Sequence, residues 1–205
     1  MTTHEIHVPN HHADYPSFAG LTGLVAAASM VLGRKGDALV AGRLSGLAPG
    51  DAVVDIGCGP GAAVRHAARR GASVVGVDPA PVMLRVARFL TRRKATVRYV
   101  EGSAEALPLA DASASVVWTI ASVHHWADLD MALRESRRVL RPGGRFVAIE
   151  RLTQPGARGH ASHGWTENQA HAFADLCLAR GFVDARFDRH RTRRRSTVSV
   201  AATAP

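Results

Sequence analysis

The chain has 205 residues, 46% of them hydrophobic, which is enough for one domain with a single large core and too few for a second independent one. Its longest strongly apolar stretch, LTGLVAAASMVLG at 21–33, is too short to span a bilayer, and the two cysteines, Cys58 and Cys177, make neither a disulfide framework nor a metal spacing. Twenty-six basic against 17 acidic residues leave a net charge of +9, which favours anionic partners in general and selects none.

The amino terminus, MTTHEIHVPN, has no basic region followed by an apolar run, so no secretory signal and a cytoplasmic location are expected. His4, His7, His11 and His12 crowd this segment in a spacing that fits no helical or finger site, and no metal centre is expected. From residue 52 the pattern alternates. AVVDIG (52–57) is a β-branched run ending in glycine; GAAVRHAARRG (61–71) reads as a helix closed by Gly71. SVVGVD (73–78) is a second strand, and PVMLRVARFLTRR (81–93) is a helix with Val82, Met83, Val86, Phe89 and Leu90 on its apolar face. TVRYVEG (96–102) and SASVVWTIA (113–121) are strands three and four. DLDMALRESRRVL (128–140) is a helix stopped by Pro142 and the Gly143-Gly144 pair, and RFVAIE (145–150) is a fifth strand. TENQAHAFADLCLARG (166–181) is a last helix, and FVDARFDRH and STVSVAATA form a hairpin.

Strands separated by helices mean βαβ units and a parallel sheet covered on both faces. The predicted fold is therefore α/β, a three-layer Rossmann-like arrangement with a seven-stranded, mostly parallel sheet and an antiparallel terminal hairpin.

The first loop, DIGCGPGAA (55–63), lets a ligand come close to the backbone at the start of a helix. Gly57, Gly59 and Ala62 fit the loose dinucleotide fingerprint, and Asp78 at the end of strand two would hold ribose hydroxyls for a dinucleotide or for another adenosine ligand. The loop alone does not decide.

VVDIGCGPG, GVDPAPVML, EGSAEALPLADASASVV, SVHHWAD and RVLRPGGRFVAIE occur in order over residues 50–150. Together they resemble the class I S-adenosylmethionine-dependent methyltransferases, in particular the group with quinone C-methyltransferases and small-molecule O-methyltransferases. The resemblance implies S-adenosylmethionine as cofactor and a small-molecule methyl acceptor. It implies that Asp55 and the backbone of Gly57, Cys58 and Gly59 hold the methionyl end, with Gly61 starting the helix beneath. Asp78 would accept both ribose hydroxyls, Pro79 would pack on the adenine, and Ser103, Ala104 and Glu105 would read the adenine edge. Ser103 stands where an Asp is commonest in the family, and Ala114-Ser115 where Phe-Asp is usual, a change expected to alter packing and not chemistry. Carbonyls of Thr119, Ile120 and Ala121 would meet the methionine ammonium. Residues 1–46 would form a helical lid segment bringing Tyr15, Phe18 and Leu21 onto the pocket, ahead of a catalytic domain at 47–205.

His124 and His125, directly after strand four, stand where an acceptor would meet the methyl group, and an imidazole can take a proton from a phenol, enol or carboxylic acid. Glu150 would orient a histidine or bind substrate from the end of strand five. Trp126 and Trp165 are expected to be packing residues more than pocket rim. The run DRHRTRRR (188–195) is read as a solvated hairpin turn at the far end of the sheet. The alternatives are an RNA or protein methyltransferase that uses this turn, and a nucleotide-binding regulator without chemistry. A nucleic-acid partner is not expected: the Asn-Pro-Pro or Asp-Pro-Pro followed by Tyr or Phe that exocyclic-amine methyltransferases similar to this fold carry after strand four does not stand here, and no appended RNA-binding module is recognisable.

Overall fold

The computed structural model describes residues 35–92, 94–191 and 196–205. Helix α1 (Lys35–Leu44) precedes β1 (Ala52–Ile56), α2 (Ala62–Arg69), β2 (Ser73–Asp78), α3 (Pro81–Thr91), β3 (Val97–Glu101) and β4 (Ala114–Ile120). Helix α4 (Leu129–Val139), β5 (Leu140–Arg151), α5 (Glu167–Ala179), β6 (Val183–Arg191) and β7 (Ser196–Thr203) follow.

The seven strands form one sheet in the order β3-β2-β1-β4-β5-β7-β6. Pairings from β3 through β5 are parallel, and β7 runs antiparallel between β5 and β6. Successive side chains of a strand point to opposite faces. Thus Val53, Val116 and Val147 pack with Val64, Leu84 and Ala41 on one face, while Val54, Val117 and Ala148 pack with Leu133, Phe173 and Cys177 on the other. Three layers result, and the expected fold class is what is observed.

Local chemistry sets the element ends. Asp128 caps α4 by accepting from Met131 N at 3.0 Å, and Thr166 with Gln169 makes a reciprocal capping box on α5. The loop after β3 is locked to α4 by Arg138, which donates to the carbonyls of Leu107 and Leu109 and to Glu135 and Asp111. At the amino edge of the sheet, Ser115 Oγ donates to Asp51 at 2.7 Å and Arg145 donates to Ser45 O at 2.7 Å. Ser115 therefore works in packing at the end remote from the crevice.

Three expectations need correction. The buried face of α3 carries Val82, Met83, Leu84, Ala87 and Thr91, whereas Phe89 is 82% exposed. Small residues at 87 and 91 let the helix approach the sheet, and Thr91 Oγ1 bonds both Ala87 O and the Tyr99 hydroxyl. Strand β5 begins at Leu140, not Arg145, because Leu140 pairs with Ala114 before the register shifts at the glycine pair. The third concerns the arginine-rich turn. Arg151 pairs with Thr197 and Arg191 with Ser196, so β6 runs parallel to β5 and the described part of the run, up to Arg191, ends at the carboxyl end of the sheet and not at its far end. Turn residues 192–195, like the histidine-rich amino terminus and the lid residues Tyr15, Phe18 and Leu21, lie outside the described residues. Of the expected lid segment, residues 35–46 are described, and α1 within them buries Ala38 and Ala41 against the sheet.

Candidate active site

Strand β1 lies between β2 and β4, and the helices that follow β1 and β4 pack on opposite faces. A crevice opens beyond the carboxyl ends of such strands, at the topological switch point. Gly57, Gly59 and Gly61 adopt φ of 69°, 50° and 75°, in the left-handed region. A Cβ on Gly57 would stand 1.9 Å from Ser122 Oγ, and one on Gly61 2.2 Å from the Tyr99 hydroxyl. The loop is glycine-rich for two reasons at once, backbone conformation and close approach.

Its backbone N–H groups turn inward. Gly57 N and Cys58 N both donate to Val77 O, at 2.8 and 3.0 Å, and Gly61 N donates to Cys58 O at 3.0 Å. Gly59 N donates to Asp78 Oδ2 at 2.8 Å, and residue 60 is a proline with no N–H. Residues 57–61 thus bond their own protein, and Asp55, 1% exposed, is the last residue but one of β1, just before them. Pockets for pyrophosphate turn such N–H groups outward. Here one cleft is lined by Asp55, Gly57, Cys58, Pro60, Ala62, Ala63 and Ile120, with Asp55 as its carboxyl group.

Asp78 also accepts from Ala80 N at 2.9 Å. A carboxylate offers about four lone-pair sites, so bracing the loop and accepting hydroxyls are compatible tasks. Pro79 beside it is exposed. Cys58 is buried, and burial, with Asp55 and Asp78 adding to it, holds its thiol well above the ordinary range. It is a packing residue and no nucleophile.

After β3, Ser103 bridges to Ala106 and Ala104 is buried. The Glu105 carboxylate accepts from Ala127 N at 2.7 Å, tying this segment to the loop beyond the histidine pair. Thr119 and Ile120 are buried at the end of β4. Ala121 takes φ of 50° and donates its N–H to Ile149 O at 2.7 Å. A non-glycine residue held there stores about 1–3 kcal/mol of strain, a feature that clusters at functional sites.

His124 and His125 lie in one turn of 3-10 helix, Val123–His125. Glu150 follows Phe146 and Ala148 on the same face of β5 and is fully buried. Its Oε2 meets His124 Nδ1 at 2.9 Å, and its Oε1 accepts from His124 N at 3.4 Å. The structure therefore joins two of the three residues expected at the acceptor end. His125 stacks obliquely on His124, ring centres 4.1 Å apart. A third histidine, His163, stands with them, 5.6 and 6.0 Å from the two rings.

Sequence reading missed His163, and with it Ser122, which faces the glycine loop. Both are single polar residues in stretches without periodicity, and only the sheet brings residue 163 beside residue 124. Trp126 and Trp165 are buried against Phe173 at ring distances of 6.5 and 4.7 Å, as packing residues.

Residues 54–148 match the family described as a methyltransferase domain. The chain is 36% identical over 110 residues to a demethylmenaquinone methyltransferase of Tropheryma whipplei (strain Twist), a match that covers 53% of this chain and 45% of that protein. It is 39% identical over 127 residues to a malonyl-[acyl-carrier protein] O-methyltransferase of Pseudescherichia vulneris, covering 62% of this chain and 49% of that protein. The chain thus spans just under half the length of these two curated relatives. In fold it is similar to a solved SAM-dependent methyltransferase from Aquifex aeolicus, with a TM-score of 0.74 and 15% identity over 88% of this chain and 98% of that one. Loop, switch-point crevice and matched segment agree with the resemblance carried by the sequence motifs: residues 54–148 match a methyltransferase domain.

Proposed function

We propose that the protein is a cytoplasmic enzyme that moves a methyl group from S-adenosylmethionine to oxygen or an activated carbon of a small molecule. The observation that carries this reading is the inward-turned loop of residues 57–61 above the buried carboxylate of Asp55. Such a lining disfavours the anionic pyrophosphate of a dinucleotide and favours a ligand carrying a sulfonium and an ammonium. When bound, that cofactor supplies an already activated methyl group. The residues expected to hold it fit: Asp78 for the ribose hydroxyls, Pro79 against the adenine, the Ser103–Glu105 segment at its edge, and carbonyls from the glycine loop and from Thr119 to Ala121 at the ammonium.

The remaining work is to align an acceptor, exclude water and, for an acid acceptor, take its proton. His124 does the last. Glu150 fixes Nδ1 as the protonated nitrogen and leaves Nε2 as the one to meet the acceptor proton. His125 lines the same end. Methyl transfer from labelled cofactor to a panel of quinols, phenols and carboxylic acids tests the reading, and at least one class should become labelled. Labelling of none, with tRNA or protein labelled instead, would overturn it.

A second reading, a macromolecular acceptor, draws on Arg189 and Arg191, which β6 brings to the carboxyl end of the sheet. Changing Arg193, Arg194 and Arg195 to Ser should leave small-molecule methylation intact. Loss of polyanion retention together with loss of methylation would favour the second reading.

A further inference from the structure

His124, His125 and His163 each place one imidazole nitrogen within 4.8 Å of the other two. Three histidines with one position left open are the donor set of catalytic zinc sites, and imidazole also suits cobalt and nickel. The usual accompaniment of such ligands is a buried carboxylate on the far nitrogen of one ring, fixing its tautomer. Glu150, fully buried and 2.9 Å from His124 Nδ1, stands in that place.

The third ligand is held with equal care. Trp165 N donates to Arg151 O at 2.9 Å and Thr153 N to Trp165 O at 2.8 Å, clipping the chain that follows His163 to the end of β5. Gly164 makes this possible: it takes φ of 140°, and a Cβ there would lie 2.2 Å from Arg151 O. Two ligand nitrogens on a tetrahedral zinc sit roughly 3.3 Å apart, so from separations of up to 4.8 Å the cluster needs a contraction of at most about 1.5 Å. His125 and His163 are half-buried, which leaves an approach for the ion.

We propose that His124 Nε2, His125 and His163 bind a divalent transition metal at the acceptor end of the crevice, with Glu150 as the supporting carboxylate. The open position takes an anionic oxygen, such as a phenolate, enolate or carboxylate. This refinement rests on the reading of the crevice as a methyl-acceptor site. Metal and proton compete for the same lone pair of His124. In the metal-loaded protein the acceptor therefore binds as its oxyanion, its proton released to solvent on binding in place of transfer to the ring.

Titration of the full chain with Co(II), followed by visible d–d absorption, tests the site without reference to turnover. One equivalent should give a tetrahedral spectrum that changes when a phenolate is added. His163→Ala and His163→Gln should each weaken binding by 100-fold or more, and Glu150→Gln by roughly 10–100-fold. A variant with His4, His7, His11 and His12 all changed to Ala should keep the spectrum. Retention of the spectrum in both His163 variants, or its loss in the amino-terminal variant, would overturn the proposal. So would unchanged methyl transfer by chelator-treated protein that binds S-adenosylmethionine but no Co(II), an outcome that leaves the methyltransferase reading standing. A Co(II) spectrum in protein that binds no S-adenosylmethionine would instead overturn the reading of the crevice.

Discussion

Nδ1 of His124 lies 2.9 Å from Oε2 of Glu150, a carboxylate with no exposed surface at the carboxyl end of β5. A buried acid is costly unless it is bonded, and here both oxygens meet the same residue, one its ring and the other its backbone N–H. The pair fixes the ring in place, as a base or a ligand needs.

With an identified acid acceptor, His124→Ala is expected to lower kcat by roughly 10²–10⁴-fold, the range for loss of a general base. Glu150→Gln should lower it less, with affinity for S-adenosylmethionine unchanged in both. Full turnover by both variants would exclude a role for the pair in the reaction.

Gly57→Ala should unfold at lower temperature and bind cofactor weakly, since its Cβ would strike Ser122 Oγ and its φ of 69° disfavours a side chain. Adding Ser122→Gly removes the contact but not the backbone strain, which costs about 1–2 kcal/mol. The double variant should recover part of the lost melting temperature, and no recovery would contradict the contact.

The sheet was legible because periodicity and glycine positions are local signals: AVVDIG, SVVGVD and SASVVWTIA each announce a strand, and Gly71 and Gly181 the end of a helix. The glycine-rich turn between β1 and α2 was legible for the same reason. The face of α3 was not, because apolar residues occupy more than half of its circumference and the sequence leaves its rotation open until Thr91 meets Tyr99. His163 was not legible either, since its place beside His124 depends on the clip at Arg151 and Trp165, a contact between chain segments with no shared pattern. That Arg191 ends β6 at the carboxyl end of the sheet follows from β7 entering between β5 and β6, which only the pairing register reveals.

Asp78→Ala removes the partner of Gly59 N as well as the proposed ribose acceptor. Two charge-assisted hydrogen bonds at about 1.5 kcal/mol each predict a loss of cofactor affinity of roughly 100-fold. Unchanged affinity by calorimetry would contradict the ribose assignment.

Asp51 reports on acid stability. Burial raises its pKa, but the Ala48 N–H, the Ser115 hydroxyl and the Arg145 guanidinium together hold it below the ordinary value of 3.8. A group depressed in the folded state contributes stability above its unfolded pKa, and that contribution is lost as pH falls through the folded value. The urea midpoint of the wild type should therefore drop on acidification below about pH 4, and Asp51→Asn should be less stable at neutral pH with a shallower acid limb. Parallel curves for the two proteins would show that Asp51 does not contribute.

The central claim is that the cleft lined by Asp55 and the inward-turned glycine loop, which Asp78 braces through Gly59 N, takes S-adenosylmethionine and not a nicotinamide dinucleotide. Isothermal titration of the full chain against S-adenosylmethionine and against NADH decides it: saturable binding of the first and none of the second is the predicted result, and saturable binding of NADH with none of S-adenosylmethionine would contradict it.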